Sequence, residues 1–213
     1  MVGYCQLQHM LPPARTSSMI PDAALVEWRQ DIVTRQLDDV NMLGEALVAA
    51  LNEKDGFKPG EAGVALLLTN RPDPDAMAAW LGAAAGNEEA NRGSDLPITG
   101  TGLQEAMTKA LAQARLPYES LACLAHDFSG EQRYFEELLL ASSRLAKGPV
   151  TGTMEIPSLS IGETGAAAGF LSIAMLAFLH SKGVHQRPSL AALTSDGPER
   201  GAVVLGPFDV KGR

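Results

Sequence analysis

Apolar positions along the chain alternate between two kinds of pattern. Residues 103–114 and 131–145 repeat apolar side chains every three or four positions, which predicts two amphipathic helices. Short apolar or alternating runs predict four strands, at residues 63–68, 120–125, 150–156 and 201–205. The run at residues 63–68 is apolar throughout, so we expect a fully buried strand there. This order of strands and helices predicts an α/β layered core.

The longest apolar run, residues 166–179, has no polar face and therefore predicts a buried helix. Gly183 stands where a helix C-cap is expected. The small residues 165–169 at its start allow a backbone or a ligand to approach closely. The run is short for a membrane span and is broken up by small residues, so we expect no membrane crossing.

The first 54 residues carry weaker patterns and are interpreted as an irregular N-terminal segment with helices. Residues 1–18 show no periodicity, whereas residues 23–33 and 38–52 are helical candidates. The second candidate has one apolar face, formed by Val40, Leu43, Leu47, Val48 and Leu51. Residues 55–213 are predicted to form the α/β domain.

Charge and cysteine content exclude several classes of function. The net charge of −8 argues against nucleic acid or an anionic membrane as the general partner. Cys5 and Cys123 are the two cysteines, without a CxxC motif or a Cys/His cluster, which excludes a disulfide framework and argues against a zinc site. We expect no cofactor and no metal. The sequence opens without a secretory leader pattern, so a cytoplasmic location is expected.

Residues 162–169 and 55–61 are two glycine-containing segments, Gly-Glu-Thr-Gly-Ala-Ala-Ala-Gly and Asp-Gly-Phe-Lys-Pro-Gly-Glu. Both resemble segments of the thiolase and β-ketoacyl synthase superfamily. Residues 162–169, Gly-Glu-Thr-Gly-Ala-Ala-Ala-Gly, match the small-residue run that opens the buried central helix of the C-terminal half in that family. Residues 55–61 match its Asp-Gly-Phe-x-x-Gly-Glu pattern. The resemblance covers residues 55–207 and implies a thiolase-like layered α/β core, mainly the C-terminal half of the fold. It places the helix at residues 166–179 in a middle layer between two sheets.

The resemblance also implies site residues. His126 matches the histidine of the family's Ala-His-Gly-Thr-Gly-Thr motif, whose role is to stabilise the enolate oxygen formed when a malonyl thioester loses carbon dioxide. Phe57 matches a gatekeeper-like phenylalanine beside the nucleophile. Gly197 lies in the turn whose amides help form an oxyanion hole, although Pro198 removes one N–H donor. A histidine that only bonds the backbone is the alternative interpretation of His126.

Other family positions are changed in ways that argue against condensation. Glu163 stands where the second active-site histidine is expected, and Ser158 stands where the lysine is expected. Glu163 is interpreted as a helix-capping carboxylate, with general base as the alternative. No nucleophile elbow precedes Asp55, and Cys123 points away from His126 if one strand carries both, so Cys123 is predicted to be a small buried hydrophobe.

The resemblance therefore implies a 3-oxoacyl-(acyl carrier protein) synthase-like scaffold for acyl transfer, of the type used in fatty acid biosynthesis, without a competent site: a pseudoenzyme. A non-catalytic interaction or accessory protein is the alternative. A hydrolase using His126 and a carboxylate needs a serine elbow that the sequence lacks, and a phosphate loop at Gly100 and Gly102 lacks the rest of its motif. An acyl carrier protein or acyl thioester is the implied partner. A truncated sheet favours a homo-oligomer or a hetero-partner.

Overall fold

The computed structural model describes residues 56–71, 73–128, 130–149 and 151–208, and the backbone of residues 3–7. The strands are β1 (Gly3–Leu7), β2 (Leu66–Thr69), β3 (Ala78–Asn87), β4 (Cys123–His126), β5 (Thr153–Glu155), β6 (Ser189–Leu193) and β7 (Glu199–Gly206). The helices are α1 (Thr101–Ala114), α2 (Gln132–Leu145), α3 (Ser158–Ile161) and α4 (Ala168–Ser181), with short 3-10 turns at Tyr118–Ser120 and Gly165–Ala167. The α/β layered core is confirmed.

The seven strands form one mixed sheet in the order β2-β1-β3-β7-β6-β4-β5. Strand β4 lies between β5 and β6 and runs parallel to both, whereas β7 is antiparallel to β6 and β3. The carboxyl ends of β4 and β6 therefore meet at the same edge of the sheet, which is where sites form in α/β folds.

Side-chain alternation along the strands separates two cores. Leu124 and Leu190 point to the face covered by α1 and α2. Cys123 and Ala191 point to the opposite face, which is covered by α4. Cys123 is fully buried, as predicted for a small hydrophobe.

Helix α4 differs from the expectation of burial on all sides between two sheets. Ile173 and Leu176 pack on the sheet, but Phe170 and Phe178 are 54% and 47% exposed. The physical reason is that the described residues form a single sheet, so nothing among them covers the outer face of the helix. No helix in the described residues is long and apolar enough to cross a membrane.

The strand predictions were wrong in two places. The run at residues 63–68 is not a fully buried strand, because β2 starts at Leu66. Leu67 and Leu68 are half exposed, since β2 pairs with β1 alone among the described strands. The sequence pattern also missed two strands, β3 and β6. The helices expected at residues 23–33 and 38–52, and Asp55, lie outside the described residues.

Strand β3 escaped prediction because its residues are mostly alanine and glycine, which are poor strand formers. Its glycines have a packing role against α1. A Cβ on Gly82 would lie 2.4 Å from the Ala110 carbonyl oxygen, and a Cβ on Gly86 would lie 2.0 Å from the Gly102 carbonyl oxygen. The strand is therefore specified by close approach of the helix backbone.

Candidate functional site

A cavity of about 350 Å³ opens where β4 and β6 end and α4 begins. Phe57 and Arg92 contribute to its wall. Most of its charged lining is acidic, namely Asp127, Glu131, Glu163 and Asp196. Its position at the carboxyl ends of parallel strands makes it the leading candidate site.

Asp127 is the most deeply buried of these carboxyl groups. It follows β4 directly and is 8% exposed. Its Oδ2 accepts a hydrogen bond from the Thr194 amide at 2.8 Å, and its Oδ1 accepts one from the Thr194 hydroxyl at 2.8 Å. Burial raises the pKa of Asp127 to about 7, against the lowering effect of the Thr194 hydrogen bonds, and the charge of Glu163 raises it further. Near neutral pH this group can therefore both donate and accept a proton.

Glu163 reaches the cavity because its backbone is tied to the loop that follows Gly56. The Glu163 amide donates to the Lys58 carbonyl and the Gly60 amide donates to the Glu163 carbonyl, both at 2.7 Å. Its Oε1 accepts a hydrogen bond from the Gly165 amide at 2.6 Å. Neither the 3-10 turn at Gly165–Ala167 nor α4 has a side-chain cap at its start, and the capping role of Glu163 stays a prediction. Burial raises the pKa of Glu163.

The backbones of residues 58–60 and 161–163 cross in close contact, and this backbone crossing leaves no room for side chains at its two glycines. A Cβ on Gly60 would lie 2.2 Å from the Ile161 carbonyl oxygen, and a Cβ on Gly162 would lie 2.6 Å from the Pro59 carbonyl oxygen. Gly162 also has a φ of 83°, which favours glycine. The crossing holds Phe57, 5% exposed, in the cavity wall.

His126 lies outside the lining of the cavity. It is the last residue of β4 and not part of the loop after it, and its alternation with Leu124 directs it toward the α1 and α2 face. It is fully buried, and burial lowers its pKa to about 3, helped by the charge of Arg200. Its Nδ1 is 3.7 Å from Asp127 Oδ1, beyond hydrogen-bond distance. The residues that line the cavity do not include His126, and its suggested role toward an enolate stays a prediction.

The turn before β7 forms the opposite wall and is held by Arg200, which is 2% exposed. Its Nη1 donates to the carbonyls of Ser195, Gly197 and Glu199 at 3.0, 2.8 and 2.8 Å. Its Nε and Nη2 donate to the two carboxylate oxygens of Glu137 at 2.6 and 3.1 Å. This bidentate pair fixes the turn on α2.

Residues 194–196 of this turn line the cavity, whereas the Gly197 carbonyl faces Arg200. The Thr194 amide is already bonded to Asp127. The suggested oxyanion role of Gly197 therefore stays a prediction.

Polar contacts on the cavity rim join three elements. The Arg92 guanidinium is 3.1 Å from the Glu131 carboxylate and 3.2 Å from that of Asp196. The Tyr134 hydroxyl donates to Asp196 Oδ1 at 2.6 Å. Four carboxyl groups face one guanidinium, so the cavity carries net negative charge when they ionise.

Sequence reasoning missed Asp127, Glu137 and Arg200. Asp127 could have been found as a polar residue directly after a buried strand. Glu137 lies on the buried face of α2 beside Tyr134 and Leu138, where a charged residue signals a buried partner. Nothing in the sequence indicates that this partner is Arg200.

An accessible thiol is absent from the described side chains. Cys123 is buried, and burial raises its pKa to about 11, which disfavours the reactive thiolate. Cys5 is placed by backbone alone, in β1 opposite Leu68 and Ala78. The described residues also contain no group of three or more His, Cys, Asp or Glu side chains suited to a metal ion.

No protein-family model and no curated protein matches the chain. Solved structures do match it. The ketosynthase from module 1 of the bacillaene synthase of Bacillus amyloliquefaciens FZB42 is 14% identical, with a TM-score of 0.60 over 74% of this chain and 35% of that one. The ishigamide ketosynthase/chain length factor is also 14% identical, with a TM-score of 0.59 over 72% and 45%.

A third match is AntDE:AntF, a type II polyketide synthase acyl-carrier protein in complex with its ketosynthase. It is 16% identical, with a TM-score of 0.55 over 63% of this chain and 39% of that one. The chain thus spans less than half the length of these structures, and identity this low shows the fold alone. The chain has the thiolase-like fold of ketosynthase domains.

Proposed function

We propose that this chain is a ketosynthase-fold accessory protein that does not itself condense acyl thioesters. The observation that supports this proposal is the chemistry of the cavity. Its charged lining is mainly carboxyl groups and includes no thiol, and the described thiol of Cys123 is buried with a raised pKa. Condensation by covalent catalysis needs an activated nucleophile.

Electrostatics argue in the same direction. A malonyl thioester carries a carboxylate, which like charges at Glu131, Glu163 and Asp196 would repel. Burial of that carboxylate without a paired cation is costly, and Arg92 is already paired with Glu131 and Asp196. The cavity lies at the carboxyl ends of parallel strands, where sites form in α/β folds, but it lacks the positive charge that would stabilise a malonyl carboxylate.

The outer face of α4 supports an accessory role. It carries Phe170 and Phe178, and Leu159 of α3 is 75% exposed. Large apolar side chains exposed on one face of a helix make that face a candidate for a protein contact. The structural matches include a ketosynthase with a chain length factor and a ketosynthase with an acyl-carrier protein, and these names suggest a ketosynthase subunit as the partner of this face.

Intact-mass spectrometry tests the chemical half of the proposal. The purified chain is incubated with acetyl and malonyl thioesters of coenzyme A and of an acyl carrier protein. We expect no covalent adduct. A stoichiometric acyl adduct that maps to Cys5 or Cys123 would overturn the proposal, and a Cys123→Ala variant distinguishes the two sites.

Co-expression tests the partner. The tagged chain is produced with each ketosynthase of its source organism, and the purified complex is examined by light scattering. We expect a defined complex with one of them, lost in Phe170→Glu/Phe178→Glu and kept in Leu67→Glu, a matched change of a half-exposed residue on β2. Retention of the complex in the α4 variant would contradict the proposed surface.

A further inference from the structure

Two of the four histidines of the chain lie together at the carboxyl end of α4. The helix ends in a Schellman motif, in which the Gly183 amide donates to the His180 carbonyl at 2.9 Å. The Val184 amide donates to the Leu179 carbonyl at 3.0 Å. Gly183 has a φ of 68°, which lets the chain reverse its direction. The reversal brings His185 back against the last turn of the helix.

The His180 ring is fixed by a hydrogen bond to the backbone. Its Nδ1 lies 3.0 Å from the His185 carbonyl oxygen, and because a carbonyl only accepts, Nδ1 carries the proton and donates it. The neutral ring then has an unprotonated Nε2, which can donate an electron pair. Metal-binding histidines almost always have this arrangement, in which one ring nitrogen bonds an oxygen acceptor and the other binds the metal.

The Nε2 atoms of both rings have no polar partner. His180 is 6% exposed and His185 is 9% exposed, and both Nε2 atoms are buried without a hydrogen bond. A buried polar atom without a partner costs about 1–3 kcal/mol. Burial lowers the pKa of His180, against the raising effect of its bond to the His185 carbonyl, so this ring is neutral at neutral pH. The pair thus holds two buried nitrogens that the fold does not use.

We propose that His180 and His185 bind one Cu⁺ ion through their Nε2 atoms. The ring centres are 6.1 Å apart, with an angle of 71° between the ring planes. A metal–nitrogen bond of about 2.0 Å places an ion about 3 Å from the centre of each ring, so one ion can join the two rings. The His180 ring is held by its hydrogen bond, and the His185 ring turns to complete the site.

The number and position of the ligands favour Cu⁺ over other ions. Rings this far apart place the two nitrogens on nearly opposite sides of the ion, which is the two-coordinate geometry that Cu⁺ accepts. Imidazole nitrogen is a suitable ligand for copper. Zn²⁺ takes four ligands in most protein sites, and the described residues bring no third His, Cys, Asp or Glu side chain to this pair. The carboxyl end of a helix also favours a cation.

This site is separate from the cavity and does not rest on the proposed function. Ala168 lines the cavity 12 positions before His180, so the two sites are about 18 Å apart along α4. Residues 182–184 are exposed and give an ion a route to the pair from solvent. The proposal departs from the sequence-based expectation of no metal, because that expectation rested on the lack of a larger Cys/His cluster.

Nitrogen NMR tests the site residue by residue. The full chain carries Cys5→Ser, so that this thiol does not compete, and Cu⁺ is added without oxygen. Because Cu⁺ is diamagnetic, the signals stay sharp. We expect His180 to be protonated at Nδ1 in the free chain, and Cu⁺ to shift the Nε2 signals of His180 and His185 together while that of His9 stays unchanged. Protonation of His180 at Nε2, no shift at the pair, or an equal shift at His9 would overturn the proposal.

Competition with a colorimetric Cu⁺ chelator tests the ligands by affinity, in the same Cys5→Ser chain. His185→Phe keeps an aromatic ring and the backbone carbonyl that holds His180, but it removes one nitrogen ligand. We expect the affinity for Cu⁺ to fall by more than the roughly 10–100-fold that loss of an outer partner of a ligand costs. Far-UV circular dichroism should stay unchanged.

His9→Phe is the matched control and should bind Cu⁺ as tightly as the parent chain. Equal affinities of the parent chain and His185→Phe would refute the proposed ligands. Tighter binding of Zn²⁺ than of Cu⁺ by the parent chain would refute the two-coordinate site, since two nitrogens leave Zn²⁺ short of its four ligands. The NMR titration of the chain with both histidines decides the proposal if His185→Phe does not fold.

Discussion

Two buried carboxyl groups lie on either side of the segment that joins β6 to β7. The burial of their negative charge is compensated in opposite ways. Glu137, 1% exposed, binds the Arg200 guanidinium with both oxygens. Asp127, 8% exposed, is held instead by the uncharged amide and hydroxyl of Thr194. The charge of the first is balanced by a cation, whereas that of the second is reduced by a raised pKa.

The difference gives the two groups different roles. The Glu137–Arg200 pair is a structural lock, meaning an ion pair that fixes the cavity wall, whereas Asp127 has a charge that can change. The Glu137–Arg200 pair lies under the turn and holds three of its carbonyls, so it fixes the cavity wall. Asp127 lies at the cavity itself, with a pKa of about 7, so its charge depends on pH and on whatever occupies the cavity. The strength of each arrangement can be measured separately.

The largest effect is expected from Arg200→Met. It leaves Glu137 buried without a cation and frees the three carbonyls that Arg200 binds, so we expect a loss of about 3–5 kcal/mol in the free energy of unfolding. Urea denaturation measures it. The double variant Glu137→Gln/Arg200→Met should recover part of the loss, and no recovery would contradict a charge-based lock.

The next effect is a change in pH dependence in Asp127→Asn. The folded pKa of Asp127, about 7, exceeds its ordinary value of 3.8, so its contribution to stability is full below pH 4 and is lost as pH rises through 7. The range corresponds to on the order of 4 kcal/mol at most. His126, with its pKa lowered to about 3, acts oppositely: its contribution is present above pH 6.5 and is lost as pH falls toward 3.

In the native chain these two contributions oppose each other between pH 4 and 6.5. Removal of the first by Asp127→Asn should leave a free energy of unfolding that rises with pH over this interval. Denaturation curves at half-unit pH steps provide the measurement. Identical slopes for the native chain and the variant would show that Asp127 is not a buried acid.

A smaller effect is expected from Glu163→Gln on Asp127. The charge of Glu163 raises the pKa of Asp127, so its removal should lower that pKa. The glutamine oxygen can still accept the Gly165 amide. Carboxyl carbon NMR of Asp127 reports the titration, with Glu61→Gln as an exposed control. An unchanged Asp127 titration would place Glu163 outside the electrostatic reach of the site.

The smallest effect is expected from Arg92→Gln. The ion pairs of Arg92 with Glu131 and Asp196 are at the rim, where the Arg92 and Asp196 side chains are 38% and 55% exposed. Exposed pairs contribute about 0–1 kcal/mol. We expect a loss below about 1 kcal/mol that diminishes at high salt. A loss comparable to that in Arg200→Met would contradict the distinction between rim and lock.

Periodicity predicted the parts of the fold in which one face is apolar. The stripes of α1 and α2, and the runs that became β4, β5 and β7, follow directly from side-chain spacing. Strand β3 has no such signal, because Gly82 and Gly86 are required by α1 and contribute no apolar pattern. The exposure of α4 depends on a second layer that the described residues do not supply, and the composition of the helix cannot reveal this.

The candidate site depends on which face of the sheet a residue occupies. His126 matches a family motif and its suggested role stays a prediction, whereas Asp127, one position later, lines the cavity. Successive residues at the end of a strand point to opposite sides, so a difference of one position moves a side chain from the site to the core. The Glu137–Arg200 pair spans 63 positions of sequence and depends on the packing of α2 beside β7.

The backbone crossing of Gly60 and Gly162 has a consequence for how this sequence can change over evolutionary time. A side chain at either glycine would clash with a carbonyl of the opposite segment, so a substitution requires that segment to move away. This movement would also break the two backbone hydrogen bonds that Glu163 makes with Lys58 and Gly60. Single substitutions at either glycine are therefore expected to destabilise the fold and not to persist. The loop beside the cavity can diverge only by replacement of both segments together, as an exchangeable unit.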